Sequence, residues 1–189
     1  MTEPFATASP GGDPSSPETR PPVPQPPEIR RARTADVRGI RALVAPLAER
    51  RVLVAKEAVT YFESLQEFRV ADAGGRIVGC GALHVMWEDL AEIRTLAVAP
   101  DQLGTGLGGR ILETLVEEAR ALGVQRLFCL TFETRFFARH GFEAIEGQAV
   151  TPEVYAELLR SYDEGVAEFL DLERVKPNTL GNTRMLRTL

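Results

Sequence analysis

The sequence predicts an α/β (α+β) domain, a mixed and mostly antiparallel central sheet flanked by helices. Three observations carry that prediction. Two apolar runs, Phe68 to Ala71 and Ile77 to Val85, flank the turn Asp72-Ala73-Gly74-Gly75, a hairpin signal. A strand from Glu92 to Val98 leads through Ala99-Pro100-Asp101-Gln102-Leu103 and a glycine run, Gly104 to Gly109, into an amphipathic helix. Finally, Leu127 to Thr131 is apolar on both faces, as a central strand is.

The elements follow in order. Residues 1 to 27 hold nine of the thirteen prolines and lack apolar periodicity, so they cannot repay their ordering entropy and read as a disordered tail. The folded domain is expected over 28–189. Ile29 to Arg33 reads as the first strand. Thr34 or Asp36 can cap a helix carrying Val37, Ile40, Leu43, Val44 and Leu47. Val52-Leu53-Val54 leads to a second helix near Glu57 to Leu65. The hairpin follows, then a third antiparallel strand from Leu90 to Val98. The helix after the glycines aligns Leu107, Ile111, Leu115, Ala119 and Leu122 on one stripe, with Gly123 as its C-cap. The central strand at Leu127 to Thr131 comes next, then a short helix, Arg135 to Arg139, ending at His140-Gly141-Phe142. One more helix is expected over about Pro152 to Leu170, then a polar tail.

Composition narrows the function classes. With 22 basic and 27 acidic residues the net charge is −5, and no basic stripe marks a nucleic-acid surface. No apolar run reaches membrane-spanning length, and no basic-then-apolar leader opens the chain, so a cytoplasmic protein is the expectation. Cys80 and Cys129 lie far apart in apolar segments and read as buried thiols. No His, Cys, Asp or Glu cluster has metal-ligand spacing, so no metal is expected.

The glycine run is the chemical signal. Glycines reach positive φ and let a ligand approach the backbone, and the helix that follows aims its free N–H groups at an anion. Gly104, Gly106 and Gly109 fit a G-x-G-x-x-G dinucleotide pattern, but there the glycines follow the strand at once, inside a βαβ unit. The text Ala97-Val98-Ala99-Pro100 and Leu103-Gly104-Thr105-Gly106-Leu107-Gly108 instead resembles motif A of the GCN5-related N-acetyltransferases (GNAT), whose pattern is Arg/Gln-x-x-Gly-x-Gly/Ala. Gly106 and Gly108 take the two small positions; Leu103 stands where Arg or Gln is usual. The run from Phe128 through Phe136-Phe137-Ala138-Arg139-His140-Gly141-Phe142 is similar to that family's strand and short aromatic helix beside the coenzyme A arm.

The resemblance narrows further. Leu53-Val54-Ala55-Lys56, Gly81 to Val85, Glu92 to Val98 and Lys176 to Met185 resemble amino-acid N-acetyltransferases of arginine biosynthesis, in particular the short N-acetylglutamate synthases that lack an amino-acid-kinase domain. This implies a GNAT fold, acetyl-CoA as cosubstrate, L-glutamate or L-glutamine as acceptor, and arginine as a feedback effector. By the same resemblance Leu96, Ala97, Val98, Leu103, Gly104, Thr105, Gly106, Leu107, Gly108, Phe136 and Phe137 contact the coenzyme. A homodimer is expected from the extra amphipathic helix over Thr151 to Leu170.

An α-ammonium must lose a proton before it can attack a thioester. On an alternating strand Glu92, Arg94, Leu96 and Val98 share one face. The resemblance places the general base at Glu92; a surface glutamate paired with Arg94 or Lys56 is the alternative. Backbone N–H groups near Leu96 to Val98 are implied for the oxyanion. Thr131 aligns with a hydroxyl residue that protonates the thiolate in related synthases, the alternative being a strand threonine with a packed methyl. Tyr155 and Tyr162 are further candidate donors. By the same resemblance Lys56, Arg94 and Arg184, with Asn182 and Thr183, are the candidates for substrate carboxylates. His84 and His140 lack a partnering acid at readable spacing. Two other functions fit the same elements: transfer to a different amine, and a non-catalytic domain that senses acetyl-CoA or arginine.

Overall fold

A computed structural model of the chain describes residues 26–50, 52–53, 56–175 and 181–189. Most of the proline-rich segment therefore lies outside the described residues, as do Val54, Ala55 and residues 176–180.

One seven-stranded sheet organises the molecule. Strands β1 (Glu28–Arg31), β2 (Phe68–Ala73), β3 (Arg76–Trp87) and β4 (Leu90–Val98) form an antiparallel meander, and β5 (Arg126–Thr131) joins β4 in parallel. The last strand, β7 (Thr183–Thr188), lies between β5 and the two-residue β6 (Glu143–Ala144), giving the order β1-β2-β3-β4-β5-β7-β6. Gly74 and Gly75, at φ 65° and 93°, make the tight turn of the β2–β3 hairpin.

Helices cover both faces. On one side lies α3 (Leu107–Ala121), which buries Ile111, Leu112, Leu115 and Val116 against Leu83, Ile93, Leu127 and Cys129. The short α4 (Thr134–Arg139) adds Phe137 to the same core. On the other side α1 (Val37–Glu49) and α2 (Ala58–Glu63) pack Val37, Ile40, Val44 and Tyr61 onto Phe68, Val70, Cys80, Ala82 and Ala97. Farther along that face, α5 (Pro152–Leu158) and α6 (Glu164–Phe169) seat Leu158, Val166 and Phe169 on Met86, Leu90 and Phe128.

The sheet and its main helices follow the sequence expectation; three features differ. The single helix expected over Pro152 to Leu170 is two helices, because Asp163 is extended (ψ 132°) and caps α6 by accepting the Val166 N–H at 3.1 Å. Leu158, Val166 and Phe169 pack on this chain's own sheet, while Leu159 and Tyr162 between the two helices stay exposed. The polar C-terminal run contains β7, whose pattern hides a strand because only Met185 is buried in it. Third, β4 does not alternate throughout. Arg94 lies opposite Ala82, but Ala97 lies opposite Cys80, so β4 fits one extra residue into the ladder. Thr95 takes up that residue at φ 56°. Glu92, Arg94 and Ala97 therefore face α1 and α6, whereas Leu96 and Val98 turn to the α3 side, correcting the expectation of one shared face.

Candidate active site

The site begins where two parallel strands part. Only three residue pairs join β4 to β5, and the last is Glu92 with Phe128. Past it β4 runs on to Val98 with no partner on that edge among the described residues, while β5 stays paired with β7 as far as Thr131. Such an edge presents backbone N–H and C=O groups to whatever enters the gap. The bulge at Thr95 sits within it, in a backbone conformation rare for a β-branched residue.

Glu92 occupies the fork. It is 4% exposed, and burial pushes its carboxyl well above the usual carboxylate range, with Glu168 and Asp163 adding repulsion and Lys56 opposing. Arg94 follows on the same face. It donates from Nη1 to Asp163 Oδ2 at 3.0 Å, and its Nε lies 3.6 Å from Glu92 Oε2 and 3.8 Å from Glu67 Oε2. These last two separations are too long for hydrogen bonds. Glu92 Oε2, Glu67 Oε2, Arg94 Nε and Arg94 Nη2 are thus buried without a hydrogen-bond partner among the described residues. His84 Nδ1 lies 2.7 Å from Glu67 Oε1, and its Nε2 lies 3.7 Å from Asp163 Oδ2. Lys56 completes the cluster electrostatically: burial first, then Arg94, lowers its pKa, while Glu92, Asp163 and Glu67 act the other way.

Unpaired buried polar atoms are rare because each costs desolvation energy. Two acceptors and two donors side by side match a ligand carrying an ammonium and a carboxylate, the two charges of an amino acid.

A second wall of the gap is the loop before α3. Gly104 and Gly106 have φ of 77° and 84°, and a Cβ on either would meet nothing within 4 Å, so backbone conformation and not crowding requires glycine there. Gly106 caps the 15-residue α3, whose first turn carries no acidic side chain to compete for its free N–H groups. Phe136 packs beside Gly108, 3.6 Å from where a Cβ would lie, and stacks edge-on with Phe137 at 5.2 Å. Leu103 is 66% exposed at the loop's outer edge. An anion-binding loop beside an open strand edge fits a long ligand with a pyrophosphate and an amide-bearing arm.

The other expected residues are placed as follows. Thr131 is buried, and its Oγ1 accepts the Glu133 N–H at 2.9 Å. Strand alternation sets it with Leu127 and Cys129 on the α3 face, opposite to Glu92, so the structure does not bring those two together. Arg184 donates to the Gly147 carbonyl at 3.1 Å and to the Phe169 carbonyl, tying β7 to α6. Thr183 pairs with Thr131 across β5 and β7, and Asn182 is half-buried just before it. Tyr162 is 98% exposed, and Tyr155 packs at the edge of the α5–α6 core.

Sequence reasoning missed Glu67, Asp163, Gly165 and Glu168, and it found no acid for either histidine. The structure gives His84 Glu67, and gives His140 Glu113 at 3.1 Å. The one readable signal was Asp163, an N-cap residue in front of Glu164 and an apolar run. Among the described residues no group of three or more His, Cys, Asp or Glu side chains could hold a metal ion, and no helix is long and apolar enough to cross a membrane.

A meander parting from β5 at a buried glutamate, beside a glycine loop that opens a helix, is an arrangement suited to acyl transfer. The profile of the Acetyltransferase (GNAT) family matches residues 42–142, and the chain belongs to that family of acetyl-CoA-dependent acetyltransferases. It is 58% identical over 166 residues, 86% of this chain and 95% of the relative, to the amino-acid acetyltransferase of Mycobacterium tuberculosis. The crystal structure of Rv2747 from that organism, in complex with CoA and NLQ, superposes with a TM-score of 0.83 at 58% identity, covering 86% of this chain and 99% of that one. The N-acetylglutamate synthase of Neisseria gonorrhoeae, complexed with coenzyme A and N-acetyl-glutamate, gives a TM-score of 0.69 at 27% identity. That match covers 86% of this chain but 35% of the longer one.

Proposed function

We propose that this protein transfers the acetyl group of acetyl-CoA to the α-amine of L-glutamate or L-glutamine, the N-acetylglutamate synthase reaction that opens arginine biosynthesis. The observation that carries this reading is the set of unpaired buried atoms around Glu92. Glu92 Oε2 and Glu67 Oε2 suit the substrate ammonium, and Arg94 Nε and Nη2 suit its α-carboxylate. The synthase relatives, whose complexes contain N-acetyl-glutamate or L-arginine, support the acceptor class and arginine as an effector.

Acetyl-CoA supplies the acyl group as a thioester, held by the Gly104–Gly108 loop and the free edge of β4. Glu92 takes a proton from the α-ammonium. Its raised pKa makes it a stronger base than an ordinary carboxylate and brings it closer to the operating pH. Arg94 fixes the amino acid so that the freed nitrogen points into the gap. N–H groups on the unpaired stretch of β4 face the carbonyl oxygen as it gains charge. Thr131, at the C-terminal end of β5, is the candidate donor to the leaving thiolate; an unperturbed thiol has a pKa of about 8.5 and is a competent leaving group.

The test is thiol release from acetyl-CoA with a panel of amino acids and unrelated amines, with and without arginine. Release with glutamate or glutamine, reduced by arginine, is expected. Turnover of an unrelated amine with none of either amino acid would end this reading.

A further inference from the structure

Helix α6 carries a glycine, Gly165, in its first turn. Helix propensity favours alanine at such a position, and Gly165 has no positive φ that would demand glycine. What demands it is space. A Cβ on Gly165 would lie 2.0 Å from Glu92 Oε2, 2.9 Å from Glu92 Cδ and 3.1 Å from Asp163 Oδ1. Both carboxylates also flank Arg94, at 3.6 Å from its Nε and 3.0 Å from its Nη1. The α6 backbone at Gly165 is therefore the surface against which the Glu92 carboxylate rests.

We infer that Gly165 is a positioning residue for the acetyl transfer: its missing side chain is the seat that holds the Glu92 carboxylate against α6 and beside Arg94. This rests on Glu92 acting as the base. An added methyl would push the flexible end of Glu92 aside and leave the helix in place, because Val166, Ala167 and Phe169 anchor α6 in the core. The damage then falls on the geometry of proton transfer and spares the fold. Displacements of about 1 Å in a reacting group can lower turnover roughly a hundredfold.

The clash also suggests its own repair. Aspartate at position 92 is one methylene shorter and leaves room for the methyl. The experiment compares wild type, Gly165→Ala, Glu92→Asp and the double variant by kcat, by KM for each substrate, by melting temperature and by calorimetric acetyl-CoA binding. The expected result has three parts. Gly165→Ala loses at least tenfold in kcat while acetyl-CoA binding changes less than twofold. Its melting temperature does not fall. Adding Glu92→Asp to Gly165→Ala recovers several-fold activity, although Glu92→Asp alone loses activity in the wild-type background.

A Gly165→Ala enzyme with wild-type kcat overturns the proposal. So does a loss that Glu92→Asp deepens, or one matched by weaker coenzyme binding and a lower melting temperature, since those mark a structural role. Full activity in Glu92→Gln would instead fail the assignment of the base, so the two failures are distinguishable.

Discussion

Arg94 sits among three carboxylates yet completes a hydrogen bond with only one of them, Asp163. An arginine held this way is positioned without being used up, and we assign its remaining donors to substrate. Arg94→Ala should therefore raise KM for the amino acid by about 30- to 100-fold, the worth of a charge-assisted pair of hydrogen bonds, with a smaller effect on kcat. Steady-state kinetics over a range of amino-acid concentrations checks this, and an unchanged KM would place the carboxylate elsewhere. Arg184 spends Nη1 and Nη2 on the Gly147 and Phe169 carbonyls, and its Nε is buried without a partner among the described residues. Arg184→Lys should lower the melting temperature by loosening α6. The sequence distinguished neither role, since both residues are arginines in mixed polar and apolar strands. Whether a guanidinium meets a carbonyl or an orphaned carboxylate is decided by chain segments 15 to 69 residues away.

At the scale of elements, the strand that carries Glu92 and the loop that opens α3 were legible, because alternation and glycine punctuation are local signals. The bulge at Thr95 was not: its extra residue is visible only against the register of β3. That one residue turns Leu96 and Val98 toward α3 and leaves Glu92 and Arg94 facing α6. Nor was β7 legible, since its place between β5 and β6 is set by pairing and not by its own apolar pattern. Two predictions belong here. Gly106→Ala forces a side chain into a left-handed conformation with no steric contact to confuse the result. It should cost about 1–2 kcal/mol in stability and raise KM for acetyl-CoA, measured by thermal melting and kinetics. Asp163→Ala removes the α6 cap together with the Arg94 contact, and should cost about 1 kcal/mol in melting experiments while raising KM for the amino acid.

At the scale of the molecule, one side of the sheet holds a cluster of carboxylates that the fold keeps from water. Burial is the first cause that raises Glu92, Glu67 and Glu168, the last to about 7. A carboxyl whose folded pKa is raised stabilises the fold while protonated, fully so below its unfolded value of 4.5, and that contribution is lost as pH rises through the folded value. The carboxyls of Asp36 and Asp72 are lowered by hydrogen bonds to Arg30, so their contribution is already complete above the ordinary carboxylate range. Between about pH 5 and pH 8 the raised group dominates, and the ligand-free protein should melt at progressively lower temperature. Glu168→Gln should flatten that slope; a melting temperature that climbs across the window would contradict the charge assignment. An amino acid whose ammonium enters this cluster relieves the same repulsion, so substrate should stabilise most at the alkaline end.

Glu92, at the fork of β4 and β5, is proposed to take the proton from an amino acid under acetyl transfer. The most direct measurement is kcat/KM of wild type and Glu92→Gln across pH, with acetyl-CoA binding to both followed by calorimetry. Glu92→Gln should lower kcat/KM about 10²- to 10⁴-fold, remove the acidic limb of the profile and leave acetyl-CoA affinity unchanged. A Glu92→Gln enzyme that keeps wild-type turnover and the same acidic limb would contradict it.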